Sequence, residues 1–92
     1  MTSTLPAILA ELKVILERVT GRSGLAAALA DGVSIVDEVG LDSLEMMNFL
    51  LEIERRLDIE IDFEKLDFAD LHSLEKLARF LATARRRSGP PS

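Results

Sequence analysis

The sequence predicts an all-α fold: a four-helix bundle of three long helices and one short one, with a long loop between the first and the second. Three observations predict it. Apolar residues recur at helical spacing in three separate stretches, 5–19, 46–57 and 74–81. A residue able to cap a helix precedes each stretch: Ser3 or Thr4, then Asp42 or Ser43, then Ser73. A single run, 58–63, alternates acidic and apolar residues as a strand does, and a lone run has no second strand to pair with.

The first helix spans Leu5 to Thr20, with Pro6 inside its first turn and Gly21 ending it. Leu5, Ile8, Leu9, Leu12, Ile15, Leu16 and Val19 form its core stripe, while Glu11, Lys13, Glu17 and Arg18 take the other side. Gly21 to Gly40 is a long connection. Leu25 to Leu29 can add a turn or two of helix, because alanine and leucine favour it, and Asp31-Gly32 breaks it. A structureless loop of this length is unusual in a compact domain, so Ile35, Val36 and Val39 are expected to pin it to the core. Gly40 permits a sharp turn into the second helix.

The second helix runs from Asp42 or Ser43 to Leu57 and carries two apolar stripes. Met46, Phe49, Leu50, Ile53 and Leu57 make the core face. Leu44, Met47 and Leu51 make a second row, bordered by Asn48, Glu54, Arg55 and Asp58. That second row faces either another helix or a partner; an apolar row ringed by polar groups is what a docking surface looks like. After it, 58–63 reads as an extended connector with Ile59 and Ile61 turned inward. Asp58, Glu60 and Asp62 have the spacing of a calcium loop, but Phe63 stands where the sharp-turn glycine belongs, so no metal site is expected. Glu64 to Asp70 forms a short third helix around Leu66. Ser73 caps the fourth, whose core face is Leu74, Leu77, Ala78, Phe80 and Leu81. His72, the sole histidine, has no nucleophile paired with it and reads as a loop or cap residue rather than a catalytic base. The domain is expected over 1–84, with 85–92 a basic, Pro-Gly-Ser-rich disordered tail.

The chain has 92 residues, enough for one domain with a modest core. It has no cysteine, which excludes disulfides, thiolate zinc sites and cysteine nucleophiles. It has no segment of signal-peptide character and no apolar run long enough to span a bilayer, so a soluble, cytoplasmic monomer without membrane contact is expected. A net charge of -5 disfavours nucleic acid. From Asp37 to Asp70 there are twelve acids against three bases, a net of -9. Such a middle either keeps the surface solvated or meets partners that present basic surfaces.

Gly40-Leu41-Asp42-Ser43-Leu44-Glu45 joins these features. Ser43 stands at a helix start, where its hydroxyl can satisfy an orphan N–H and where a phosphate ester is also well tolerated. It is therefore either a cap or the attachment point of a phosphate-linked group. The stretch Ser34 to Leu44 resembles the signature of the acyl carrier proteins; the run to Ile61 is similar to that family's second helix, and Ser73-Leu74 to the start of its fourth. The resemblance spans roughly Leu5 to Leu81 and implies that Ser43 receives 4'-phosphopantetheine from coenzyme A. It also implies that Asp42, Leu44, Glu45, Met47 and Leu51 guide partner enzymes, and Glu54 at the stripe's border joins that set.

The protein so implied is a carrier, not an enzyme, holding an acyl or aminoacyl group as a thioester on the arm. Its partners are a phosphopantetheinyl transferase, an acyl- or aminoacyl-loading ligase, and downstream transferases with basic docking surfaces. Asn48, Arg55 and Arg56 interrupt the acids of the second helix, and 21–32 is rich in alanine and glycine. These departures favour a dedicated carrier over one for bulk fatty-acid synthesis, and make a stand-alone aminoacyl carrier the nearest alternative. A further alternative is a small helical adaptor that uses Leu44, Met47 and Leu51 as a partner groove and carries no arm.

Overall fold

The computed structural model describes residues 4–86. Helix α1 spans Leu5–Thr20. The Thr4 hydroxyl accepts from the Ala7 N–H at 3.3 Å, and Gly21 closes the helix in the left-handed region at φ 69°. Ser3, the other expected cap, lies outside the described residues. Along α1, Ile8, Leu9, Leu12, Ile15 and Leu16 are buried, with Leu5 and Val19 packed at the margins. The helix touches α2 (Leu25–Ala28), α3 (Ser43–Leu57) and α4 (Leu74–Ala82), so the core is assembled on its apolar stripe.

The long connection is ordered in two pieces. One is α2. The other is a π-helical turn, Ile35–Val39, in which the Val39 and Gly40 amides donate to Ser34 O and Ile35 O at 3.2 and 3.1 Å. Ile35 and Val39 are buried and Val36 half-buried, as their apolar character demands; Val33 is buried beside them. The loop also holds the start of α4, since the Leu74 and Glu75 amides donate to Val33 O and Asp31 O at 2.9 Å each. Those are orphan donors of the first helical turn, satisfied here by backbone from a distant segment. The Ser73 hydroxyl accepts from the Lys76 amide and completes the cap.

Helix α3 is the expected second helix. Phe49, Leu50 and Ile53 are buried on its core face; Met46 and Leu57 pack at the edge. The helix ends at Asp58, which adopts the left-handed conformation at φ 55°, a region aspartate tolerates better than most residues. Ile59 and Ile61 then turn inward and are buried. Every buried side chain among the described residues is apolar.

Two expectations are corrected after α3. The short third helix is not at 64–70. An Asp62-led turn occupies that ground, with the Glu64 amide on Asp62 Oδ1 and the Lys65 and Leu66 amides on Asp62 O. The helical piece is a 3₁₀ turn, Phe68–His72. Asp67 starts it: its carboxylate accepts from the Ala69 amide while Asp70 accepts from the Asp67 amide. A reciprocal cap of this kind fixes a helix start more firmly than the propensity of Glu64 to Leu66. The alternating run also has a strand partner. Ile59–Glu60 (β1) pairs antiparallel with Arg85–Arg86 (β2), Ile59 opposite Arg86 and Glu60 opposite Arg85. Arg85 and Arg86 were expected in the tail; the opposite charges of Glu60 and Arg85 favour the pairing. The remaining tail, 87–92, lies outside the described residues.

Phe49 is the largest side chain with no exposed surface. Truncating such a residue forfeits its transfer energy and leaves a cavity. Phe49→Ala is therefore expected to lower the unfolding free energy by about 3–5 kcal/mol, read from urea melts. Leu51→Ala on the same helix, at an exposed position, should change it by less than about 0.5 kcal/mol.

Candidate functional site

The α3 N-terminus shows which residue caps the helix. Asp42, not Ser43, occupies the N-cap position, with extended backbone at φ -79° and ψ 179°. Its Oδ1 accepts from the Glu45 amide at 2.8 Å, and Glu45 Oε1 accepts in return from the Asp42 amide at 3.2 Å. This reciprocal box satisfies the Asp42 and Glu45 amides without the serine. Ser43 is the first residue of the helix, exposed, and its hydroxyl makes no hydrogen bond among the described residues. The reading of Ser43 as a cap is thereby overturned: the preceding aspartate has the longer reach and the earlier position.

The surroundings suit an anionic ester. The Ser43 and Leu44 amides are the first two of the helix and have no acceptor among the described residues. The positive end of the α3 dipole lies at the same place. Gly40, at φ 73°, turns the chain out of the π-helical turn and into Leu41 and Asp42, so the serine is presented at the tip of a short ordered lead. The residues present therefore fit a phosphate-linked group on this hydroxyl, with nothing sealing it from a large partner.

The other site residues divide by what they already hold. Leu44 is 70 % exposed, Met47 51 % and Leu51 47 %, so the second apolar row of α3 is not covered by helix, loop or turn. At 1.5 Å per residue this row runs about 10 Å along the helix. Asp42 and Glu45 each give one carboxylate oxygen to the cap and keep the other for solvent or a partner. Glu54 is turned to the fold's own use: its Oε2 accepts from the Ile61 amide at 2.8 Å and holds the connector against α3. With Val19, Asn48, Leu51, Glu52 and Arg55 it lines an open groove of about 590 Å³ beside the apolar row.

No side-chain hydroxyl hydrogen-bonds to His72 among the described residues; it shares Asp37 Oδ2 with the Ser34 hydroxyl, which reaches that oxygen at 3.4 Å. The histidine ends the 3₁₀ turn, stacks edge-on against Phe68 with ring centroids 4.9 Å apart, and brings Nδ1 to 3.3 Å from Asp37 Oδ2. Residue-by-residue reading did not single out Phe68, which is 62 % exposed. Nor did it single out Arg22, whose Nη1 donates to Val39 O at 3.3 Å just ahead of the Ser43 lead. Periodicity finds faces of regular helices; a loop arginine bonded to a distant carbonyl leaves no periodic trace.

With this geometry in view, the comparisons define the class: a small all-α domain for holding a covalently attached prosthetic group. The family model described as "Phosphopantetheine attachment site" matches residues 10–81, and the chain belongs to that family. Its cofactor is covalently bound 4'-phosphopantetheine. Domains of this family carry groups rather than transform them, and they work with a phosphopantetheinyl transferase and further partner enzymes. No curated protein and no solved structure matches the chain significantly. Among the described residues, no helix is long and apolar enough to cross a membrane.

The division of labour at the α3 start predicts a contrast in stability. Asp42→Ala removes the cap and should cost about 1 kcal/mol. Ser43→Ala removes a hydroxyl that bonds to nothing and should stay within about 0.5 kcal/mol of wild type. Chemical denaturation of the unmodified protein measures both.

Proposed function

We propose that Ser43 is the residue bearing the 4'-phosphopantetheine, and that the protein holds an acyl or aminoacyl group as a thioester and presents it to partner enzymes. The observation that carries this reading is the exposed Ser43 hydroxyl, unused by a cap that Asp42 and Glu45 complete without it. When attached, the arm supplies a terminal thiol for the thioester. No base touches Ser43 Oγ among the described residues, so the transferase must supply the group that takes the hydroxyl proton as the phosphodiester forms and the nucleotide part of coenzyme A departs. The chain's own task is placement. The α3 dipole and the two free amides favour the anionic ester, and a tethered cargo meets each partner at high effective concentration.

Leu44, Met47 and Leu51 form the contact row for the transferase, the loading ligase and downstream transferases. Asp42 and Glu45 offer their second oxygens to basic residues of those partners at its upper end. Glu54 contributes by shaping the groove, since its carboxylate is already bonded to Ile61. The protein is not itself an enzyme, and a cytoplasmic monomer suits its role. Asn48 and Arg55, set among the acids of α3, favour a dedicated carrier, acyl or aminoacyl, over one serving bulk synthesis. An armless adaptor, the other alternative, gives no account of the family match.

Incubation with coenzyme A and a broad-specificity phosphopantetheinyl transferase should raise the intact mass by one arm on the wild type and leave Ser43→Ala unchanged. A wild-type mass that stays put, or a gain on Ser43→Ala, refutes the assignment. Met47→Glu places a charge in the centre of the apolar row and should lower transferase kcat/KM by about tenfold or more, with the fold intact by circular dichroism.

A further inference from the structure

We propose that Arg22 is a positioning residue for Ser43, acting from the end of α1 on the lead that presents the serine. The proposal rests on Ser43 being the attachment residue. The lead is 39–42, and its far end is held by the Glu45 carboxylate on the Asp42 amide. Within the chain, the Val39 and Gly40 amides bond back into the π-helical turn, to Ser34 O and Ile35 O. Among the described residues, the one side chain that hydrogen-bonds to the backbone of 39–41 is Arg22, through Nη1 to Val39 O at 3.3 Å. Val39 O is the last carbonyl of the turn and has no amide donor among the described residues, so the guanidinium adds to the left-handed Gly40 cap, whose amide serves Ile35 O instead.

Arg22 is itself well anchored. The Thr20 hydroxyl donates to Leu16 O at 2.7 Å and accepts from the Arg22 amide at 3.3 Å. The Arg22 carbonyl accepts from the Leu25 amide at 3.3 Å. A chain of hydrogen bonds thus runs from the fully buried Leu16 turn of α1, through Thr20 and Arg22, to the carbonyl four residues ahead of Ser43. The hydrophobic anchors on the same segment are the buried Val39 side chain and the half-buried Leu41, both packed on the core; Gly40 has no side chain. Removing the guanidinium leaves Val39 packed but frees the carbonyl end of the turn. A transferase must then order the lead as it binds, and the cost falls on binding rather than on the chemical step.

Charge alone predicts the opposite sign. If transferases present basic surfaces, deleting a positive charge from the carrier should tighten docking. Arg18 supplies the control: it is exposed, sits on the last turn of α1, and has no hydrogen bond or ion pair among the described residues.

The experiment measures steady-state kinetics of arm attachment at fixed coenzyme A, with the carrier varied as R22A, R22K, R18A and wild type. Amide hydrogen exchange at Gly40 is measured alongside, on the unmodified proteins. The expected result is a KM for R22A raised by about fivefold with kcat within about twofold, R22K restored most of the way, and R18A no higher than wild type. Gly40 should exchange faster in R22A and not in R18A. The proposal is overturned if R22A and R18A share the same KM, if lysine fails to restore it, or if Gly40 exchange is unchanged in R22A. Should the wild type accept no arm at all, the assignment of Ser43 fails, and Gly40 exchange still decides whether Arg22 holds the lead.

Discussion

The reciprocal bond between Asp42 and Glu45 is the interaction on which the site depends. A helix start needs an acceptor for its third amide, and whichever side chain provides it gives up its oxygen to the backbone. Had Ser43 taken that place, its hydroxyl would point along the helix toward its own amides and be occupied. With Asp42 capping and Glu45 closing the box, the serine moves one position into the helix, where it owes the backbone nothing. The first two amides stay open, and the dipole favours an anion at that spot. Two carboxylates thus leave the Ser43 hydroxyl without a structural partner among the described residues.

The loop before the site is far from idle chain. Its apolar residues, Val33, Ile35 and Val39, are buried with the stripe of α1, and its carbonyls at Asp31 and Val33 receive the first amides of α4. One segment therefore does two jobs, leading into α3 on one side and capping α4 on the other. That arrangement couples the mouth of the site to the end of the bundle through backbone. Such coupling costs no long polar side chain and leaves the core free of polar groups.

The acidic middle is also less uniform than its total charge suggests. Glu38, Asp42, Glu45, Glu54, Asp62, Asp67 and Asp70 each accept a backbone amide, most of them near a turn or helix start. Much of the negative charge is structural punctuation, since carboxylates satisfy orphan amides more strongly than neutral caps do. What stays uncommitted to the fold is the second oxygen of several of these groups and the exposed row of Leu44, Met47 and Leu51.

Local chemistry was enough to read the three long helices, the core faces of α1, α3 and α4, the caps at Thr4 and Ser73, and the turn at Gly40. These depend on near neighbours in the chain: a period of 3.6, an oxygen three residues from an amide, a glycine at positive φ. The start of the 3₁₀ turn at Asp67 is open to the same reasoning, since its carboxylate lies two residues from the amide it accepts and Asp70 answers from three residues on. Three features belong to distant parts of the chain and leave no local mark: the pairing of Ile59–Glu60 with Arg85–Arg86, the caps that 31–33 provides to α4, and the reach of Arg22 to Val39. The exposure of Leu44, Met47 and Leu51 is of the same kind, because an apolar row reads alike whether a neighbouring element covers it or water does. Contacts between remote segments form only when the core has brought them together, so the folded chain alone could disclose them.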